Sequence, residues 1–467
     1  MKRRAFLRDL GLGAAGAMLV SCAGKTGAED ADADAPVKAS HHKRGPMTMR
    51  TNPNTSDSVS ILGYGCMRLP SLSEDPESES YNVDQEEVNR QVDYALAHGV
   101  NYFDTSPAYC KGESEAAMGI ALSRHPRDKY LLATKLSNFA PQTWPAAESQ
   151  KMFENSLKNL KTDHVDYLLM HAIGMSAGDL SGMEAYEERY IKNGMLAWLE
   201  EQKKAGRIRN LGFSYHGDVE VFDRLLREHD EGLHHWDFVQ IQLNYVDWEN
   251  AKEVNPRNTN ASYLYNELAK RNIPVVIMEP LLGGRLADVP TAVAAKMKQR
   301  RPDDSPAAWA FRFAGTPEKI LTVLSGMTYM DHLKENISTF SSLDPITEDE
   351  NAFLMRVGAD LSVNGVVPCT GCSYCMPCPY GLDIPTIFDF YNTCVNEDMV
   401  PHDKRHPRYA EARKRFLIGM SRAVPADRQP SRCIACGECL KHCPQGIAIP
   451  DEMAKIERSL LNLRNNA

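Results

Sequence analysis

The sequence predicts an α/β protein in which a (β/α)8 TIM barrel is followed by a smaller, helix-rich domain. Two observations predict this arrangement. Between residues 57 and 345, short β-rich segments alternate with helical patterns. Beyond residue 345, eight of the chain's twelve cysteines fall in two short runs. The 467 residues are 43% hydrophobic and 25% charged, an ordinary globular composition with room for two domains.

The barrel prediction rests on eight β-rich segments separated by helical patterns. In the first helical pattern Val88, Val92 and Ala95 recur at helical spacing, with Asp84 as the N-cap and Gly99 as the stop. Eight strands alternating with helices favour a (β/α)8 barrel, whose chemistry lies at the carboxyl ends of the strands. The predicted strands cover residues 60–65, 101–106, 130–136, 165–171, 208–214, 238–245, 273–280 and 320–326.

The first 22 residues have the features of an export signal. A basic run at 2–4 precedes an apolar stretch at 10–20, which leads into Cys22. This arrangement resembles a twin-arginine signal that ends in a bacterial lipobox. The resemblance implies export to the periplasmic side of the cell envelope, cleavage before Cys22 and lipidation of its thiol. The alternative is a plain basic N-terminus.

The remaining chain divides by composition. Residues 23–56 contain few apolar side chains and are predicted to be a flexible linker, ahead of a barrel at 57–345 and a second domain at 346–467. No apolar run reaches the roughly 18 residues of a spanning helix, so contact with the membrane is expected through the lipid anchor only. The net charge of −9, with no long basic run in the folded part, argues against a nucleic-acid partner.

The two cysteine runs predict iron–sulfur clusters. In each run three cysteines lie three residues apart, and a fourth cysteine precedes a proline. This pattern resembles bacterial ferredoxins with two [4Fe–4S] clusters, in which the fourth cysteine of each run binds the other cluster. The resemblance implies one cluster on Cys369, Cys372, Cys375 and Cys443, and a second on Cys433, Cys436, Cys439 and Cys378. Residues 379–432 then form an inserted helical segment.

Zinc and disulfides are the alternatives for these cysteines. Zinc favours pairs of CxxC around one ion, and three thiols in tight series fit that pattern poorly. An exported protein favours disulfides, but CxxCxxC places its thiols badly for unstrained bridges. Outside these runs and Cys22, the sequence analysis treats Cys66, Cys110 and Cys394 as small buried hydrophobes.

Four polar side chains fall at the predicted active face of the barrel. Asp104 ends the second strand, Tyr109 follows in the next loop, Lys135 ends the third strand and His171 ends the fourth. Each has an ordinary structural explanation by itself, such as a helix cap or a satisfied buried histidine. Their occurrence together on adjacent strands indicates a catalytic site.

These four residues resemble the catalytic tetrad of the aldo-keto reductases, and the surrounding segments GYGCMRLP (63–70) and NYFDTSPAY (101–109) are similar too. The resemblance implies reduction of a carbonyl, or oxidation of an alcohol, with a nicotinamide nucleotide. Tyr109 would donate the proton, and Lys135 would lower its pKa. Asp104 would orient the lysine, and His171 would position the substrate oxygen.

The same resemblance implies where NAD(P) would bind. It assigns the carboxamide to Ser214 and Gln242, the pyrophosphate to the loop at 279–286, and the adenosine end to the region after the eighth strand. NAD versus NADP is left open, because Gly326 and His332 stand where the best-known members carry the Lys and Arg that bind the 2′-phosphate. A second departure, Tyr215 in place of a usual Asn, puts one of the carboxamide contacts in question. The implied contacts are Ser214, Gln242, Gly283, Gly284, Ser325, Glu335 and Asn336.

Two functions are therefore predicted as alternatives. The first is an exported oxidoreductase for a small carbonyl or alcohol, with clusters that pass electrons to a redox protein or a quinone-linked partner. The second is an electron-transfer or binding protein on a barrel that no longer uses nicotinamide. The alternatives arise because nicotinamide gives two electrons as hydride, whereas each cluster passes one.

Overall fold

In a computed structural model of the chain, eight parallel strands close into a barrel in the order β10-β3-β4-β5-β6-β7-β8-β9. The structure describes residues 45–73, 80–363, 365–401 and 404–465, which lie in one compact unit. The predicted export signal at 1–22, with Cys22, lies outside the described residues. The barrel strands are β3 Leu62–Gly65, β4 Tyr102–Asp104, β5 Leu131–Leu136, β6 Val165–Ile173, β7 Ile208–Tyr215, β8 Phe238–Gln242, β9 Val275–Met278 and β10 Ile320–Gly326.

Each of these strands overlaps one of the eight predicted segments, so the α/β barrel prediction is confirmed. Amphipathic helices surround the barrel and bury their apolar faces against its outer surface. These helices are α1 Gln85–Ala97, α2 Ser114–Leu122, α3 Ala146–Leu160, α4 Gly182–Tyr186, α5 Met195–Lys204, α6 Val219–Asp230, α7 Asp247–Val254, α8 Ala261–Lys270, α9 Thr291–Arg300, α10 Pro306–Gly315 and α11 Met330–Phe340.

A short hairpin covers the amino-terminal end of the barrel and corrects the predicted linker. Strands Met49–Thr51 (β1) and Ser58–Ser60 (β2) pair antiparallel. Asn52, fully buried, donates to the hydroxyl of Tyr167 at 2.8 Å inside the barrel. The flexible linker was predicted to extend to residue 56. Residues 45–56 instead belong to the barrel, because they close its amino-terminal end. Residues 23–44 lie outside the described part of the chain.

The helix after the barrel also belongs to the barrel rather than to the second domain. Helix α12, Glu348–Ser362, starts in a capping box formed by Thr347 and Glu350. Its apolar face, which includes Phe353 and Leu354, is buried in the same core as the barrel helices. The predicted boundary at residue 345 therefore falls one helix too early, because this helix contributes its apolar stripe to the barrel.

The carboxyl-terminal domain has a separate core. It is built on α13 Ile384–Asn396, α14 Tyr409–Ala423 and α15 Ile449–Asn465. The first two helices lie within the predicted inserted segment, so its helical character is confirmed. Buried Phe388, Phe416 and Met453 join the three helices, and six of the clustered cysteines pack against this core. Among the described residues, no helix has both the length and the hydropathy of a membrane span.

Candidate functional site

Four side chains meet at the carboxyl-terminal mouth of the barrel, on neighbouring strands. Asp104 ends β4, Lys135 lies near the end of β5, and His171 lies near the end of β6. Tyr109 begins a tight turn at 109–112, directly after β4. The structure thus brings together the four residues that the sequence predicted as a catalytic site.

Lys135 and Asp104 form a buried ion pair at this site. The Lys135 ammonium donates to Oδ1 of Asp104 and to the backbone oxygen of Thr105 at 2.9 Å. Both charged side chains are almost fully buried. Burial raises the pKa of Asp104, and the charge of Lys135 opposes that rise. Asp104 therefore fixes the position of the lysine, as the sequence analysis expected.

The phenol of Tyr109 differs from the expectation in its electrostatics. The Lys135 ammonium lies 4.8 Å from the centre of the Tyr109 ring, over the ring face. Burial raises the pKa of Tyr109 well above its usual range, and the charge of Asp104 raises it further. The predicted lowering by Lys135 is not found, because the ammonium is directed to Asp104 and Thr105. The phenol remains protonated at neutral pH, the form that donates a proton.

His171 is held as a neutral imidazole by two hydroxyl groups. Nδ1 of His171 lies 2.6 Å from the Ser137 hydroxyl, which lies 2.8 Å from the Ser106 hydroxyl. Ser106 in turn accepts from the backbone N–H of Ala108 at 3.1 Å. The tautomer with its proton on Nε2 is the one in which Ser106 donates to Ser137 and Ser137 donates to Nδ1. Burial lowers the pKa of His171 well below its usual range, and nearby Lys135 lowers it further. This form can donate a hydrogen bond to a carbonyl oxygen.

Two residues that the sequence analysis missed surround this imidazole. Arg189 is 4% exposed and donates to the backbone oxygens of His171 at 2.5 Å and of Ala172 at 3.3 Å. It lies in a π-helical turn at Glu187–Ile191, a distortion that often marks functional sites. His216 follows β7, and burial lowers its pKa to about 4. Both lie near enough to His171 to lower its pKa.

A cavity lies at the carboxyl ends of β7 and β8, and is lined by Tyr215, His216, Gln242 and Asp247, among others.

Side chains that were predicted to contact the nucleotide form hydrogen bonds to other residues of the protein. Ser214 accepts from the backbone N–H of Ala172 at 2.8 Å, and Gln242 donates to Asp247 at 2.6 Å. Ser325 accepts from the side chain of Asn336 at 3.0 Å. Glu335 is exposed on α11. The side-chain bonds of Ser214, Gln242 and Ser325 are to other residues of the chain.

The loop predicted to hold the pyrophosphate is covered by the second domain. Gly283 and Gly284 have φ of 71° and 104°, in the left-handed region that favours glycine. A Cβ at Gly283 would overlap the backbone of Thr370, which is 2% exposed. Arg68, in the loop after β3, donates to the backbone oxygen of Thr370. With residues 369–375 seated in this way, the described residues do not fit a dinucleotide along the loop. We call residues 369–375 the cluster loop.

The clustered cysteines form two groups, each drawn from both runs. Burial, with a smaller contribution from the nearby Cys372 and Cys443, raises the pKa of Cys369 to about 12. Cys375 likewise has Cys372, Cys369 and Cys443 as its charged neighbours. We call this set the inner group: Cys369, Cys372, Cys375 and Cys443. Its members come from the two runs in the pairing that the sequence analysis implied.

The other four cysteines form the outer group: Cys378, Cys433, Cys436 and Cys439. Burial raises the pKa of Cys439 to about 11, with Cys433, Cys378 and Cys436 as its charged neighbours. All four line one cavity, whose wall also includes Ile384 and Met453.

Both groups fit [4Fe–4S] clusters, which require four cysteine thiolates each. Each of the eight thiols is free of a disulfide. In the described part of the chain, no three His, Cys, Asp or Glu side chains come close enough to share a single metal ion. An iron–sulfur cube holds its sulfur ligands farther apart than one zinc ion does. The cluster would supply one-electron transfer, and binding it would release protons from these thiols.

Fold and site together define a barrel oxidoreductase with an Asp–Tyr–Lys–His tetrad, joined to a domain with two four-cysteine groups. Residues 62–357 match the model of the aldo/keto reductase family, and residues 368–448 match that of the 4Fe-4S dicluster domain. The chain belongs to the aldo/keto reductase family. The predictions of this enzyme class and of an iron–sulfur domain are confirmed.

Curated relatives and solved structures agree with this assignment. L-galactose dehydrogenase of Arabidopsis thaliana is 24% identical over 320 residues, which cover 65% of this chain and 91% of that protein. The uncharacterized oxidoreductase YqkF of Bacillus subtilis is 23% identical and covers 63% and 92%. The thermostable aldo-keto reductase Tm1743 has a TM-score of 0.50 at 18% identity, over 67% of this chain and 100% of that one. This last likeness concerns the fold.

Proposed function

We propose that the protein reduces a small carbonyl compound, or oxidises the corresponding alcohol, at the Asp104–Tyr109–Lys135–His171 site. We propose further that two [4Fe–4S] clusters link this site to a one-electron redox partner outside the chain. The observation that carries the proposal is the seating of the cluster loop on the same barrel mouth that presents the tetrad. Thr370 of that loop lies against Gly283, in the segment after β9 at the same mouth, and accepts a hydrogen bond from Arg68.

The tetrad supplies the acid and the hydrogen bond that a carbonyl requires. Reduction of a carbonyl to an alcohol takes two electrons and two protons. The protonated phenol of Tyr109 delivers a proton to the oxygen, and Nε2–H of His171 holds that oxygen in place. A second proton comes from solvent.

The outer group is suited to the exchange of electrons with a partner. Cys436 is exposed, and Ile434 and Leu440 beside it are exposed to 59% and 44%. The inner group instead lies against the barrel, beside Arg68 and Arg285. A small redox protein or a quinone-linked protein that docks at the outer group would therefore exchange electrons with the cluster bound there. That cluster is the one farther from the tetrad.

The assay uses the full chain, purified without oxygen and reduced with dithionite, from which excess reductant is removed. It is mixed with small aldehydes, ketones and conjugated dicarbonyls, since the latter accept electrons singly. We expect one molecule of alcohol for each two electrons lost from the clusters, measured by visible absorbance and product analysis. Cluster reoxidation by electron-transfer proteins, with no alcohol from any carbonyl, would instead support an electron carrier on a retired barrel.

The resemblance of residues 1–22 to a lipoprotein signal supports export as part of this proposal. The protein would then act at the periplasmic side of the envelope, held by a lipid on Cys22. We expect that replacing Arg3 and Arg4 with lysine keeps the full chain in the cytoplasm, as measured by cell fractionation. A Cys22→Ala variant should be exported but released from the membrane fraction. Unchanged distribution of both variants would contradict export by this route.

A further inference from the structure

We propose that the cluster loop, with the cluster that its cysteines bind, occupies the groove where a dinucleotide would lie, so that the chain works without bound NAD(P). This inference deepens the proposed function, on which it rests, by naming the redox group that serves the barrel mouth.

The first support is steric. Gly283, in the loop predicted to approach the pyrophosphate, is in backbone contact with Thr370. A Cβ there would lie within 2.9 Å of the Thr370 carbonyl carbon and closer still to its Cα. Thr370 is 2% exposed, so this contact leaves no room for a ligand between the two segments. A pyrophosphate and the cluster loop therefore exclude each other at this position.

The second support is electrostatic. Arg68 donates to the backbone oxygen of Thr370, and its guanidinium lies close to Gly371 in the same loop. Nη1 of Arg285, two residues after Gly283, is buried without a hydrogen-bond partner among the described residues. A cube bound by four thiolates is an anion, as a pyrophosphate is. An anionic nucleotide in this groove would require positive charge from the protein. Arg68 and Arg285 provide that charge to the anionic cluster instead.

The test uses full-length protein loaded with iron and sulfide. First, small molecules released on denaturation are analysed, and the native protein is titrated with NADH and NADPH while nicotinamide fluorescence is followed. We expect no nucleotide in the released fraction and no saturable binding. Stoichiometric NAD(P), or saturable binding of either nucleotide, would overturn the inference.

Second, Gly283→Ala is compared with Gly284→Ala by electron paramagnetic resonance of the reduced clusters. Both glycines have positive φ, so both variants bear backbone strain, but only a Cβ at 283 meets the cluster loop. We expect Gly283→Ala to change the signal of one cluster and Gly284→Ala to change neither. Identical spectra for the two variants would overturn the inference.

If Gly283→Ala fails to load clusters, Arg68→Gln and Arg285→Met probe the same contact without steric overlap. Each should lower the reduction potential of the inner cluster and leave that of the outer cluster unchanged, because a positive charge beside the anion is lost. Unshifted potentials in both variants would contradict the inference. Failure of carbonyl turnover, with these results as expected, would count against the proposed function and leave the inference standing.

Discussion

Replacing Tyr109 by Phe is expected to lower the rate of carbonyl reduction by about 10²–10⁴, while both clusters remain bound. The substitution removes the acidic hydroxyl and keeps the ring, on whose face the Lys135 ammonium lies 4.8 Å from the centre. The loss should therefore fall on the chemical step and not on folding. Turnover with the most reactive carbonyl, together with the visible spectrum of the clusters, measures both effects.

The matched control for this variant is Tyr329→Phe. Tyr329 also belongs to a loop that follows a barrel strand, and its side chain is 58% exposed, so loss of its hydroxyl should leave the rate within about twofold of the wild type. A Tyr109→Phe variant that turns over as fast as the wild type would show that another group donates the proton. In that case the tetrad would be a remnant of the family.

Replacing Cys443 by Ser is expected to abolish one cluster completely and to leave the other in place. Cys443 belongs to the second run in sequence but to the inner group in space. The iron content should fall from about eight to about four atoms per chain. The reason is that three thiolates and a hydroxyl hold a cube poorly, since iron in such clusters prefers thiolate sulfur.

Three further variants identify which cluster is lost. Cys372→Ser removes a ligand of the inner group, and Cys436→Ser removes a ligand of the outer group. Cys378→Ser removes the first-run cysteine that belongs to the outer group, and is therefore the counterpart of Cys443→Ser. The spectrum that remains in Cys443→Ser should equal that of Cys372→Ser, and Cys378→Ser should equal Cys436→Ser. The opposite pairing would mean that each run binds its own cluster. The surviving cluster in each variant reports that the domain remains folded.

The barrel was predictable because its periodicity is local. Alternating β-rich and helical segments place the eight strands, and the same alternation places Asp104, Lys135 and His171 at their carboxyl ends. The hairpin at 49–60 was missed because its strands are only three residues long and lie in a polar context. Helix α12 was assigned to the wrong domain because an amphipathic pattern does not say which core its apolar face joins.

Within the site, residue types were predictable and their electrostatics were not. The sequence placed Lys135 and Tyr109 near each other, but whether the ammonium meets the phenol oxygen or the ring face depends on the loop conformation after β4. Arg189 reaches His171 from a π-helical turn that leaves no simple trace in the sequence. His216 directly follows Tyr215, which stands where the family usually carries Asn. That departure from the family pattern was the one feature of the sequence that pointed to His216.

The cluster loop is held on the barrel by tertiary contacts between segments that are distant in sequence. Gly283 and Thr370 are 87 residues apart, and Arg68 is farther still from Thr370. Motif spacing predicts the ligands of a cluster but not the surface against which the cluster packs. The contact changes the functional interpretation, because it places the iron–sulfur domain where the family resemblance implied a nucleotide. In the function that we propose, the two domains form one site at the barrel mouth.

Iron and acid-labile sulfide, quantified in the full chain purified without oxygen, show directly whether the eight cysteines hold two clusters. We expect about eight iron atoms and about eight sulfide ions per chain, as two [4Fe–4S] clusters require. Zinc in their place, or eight cysteines joined in disulfides with no iron, would contradict this expectation.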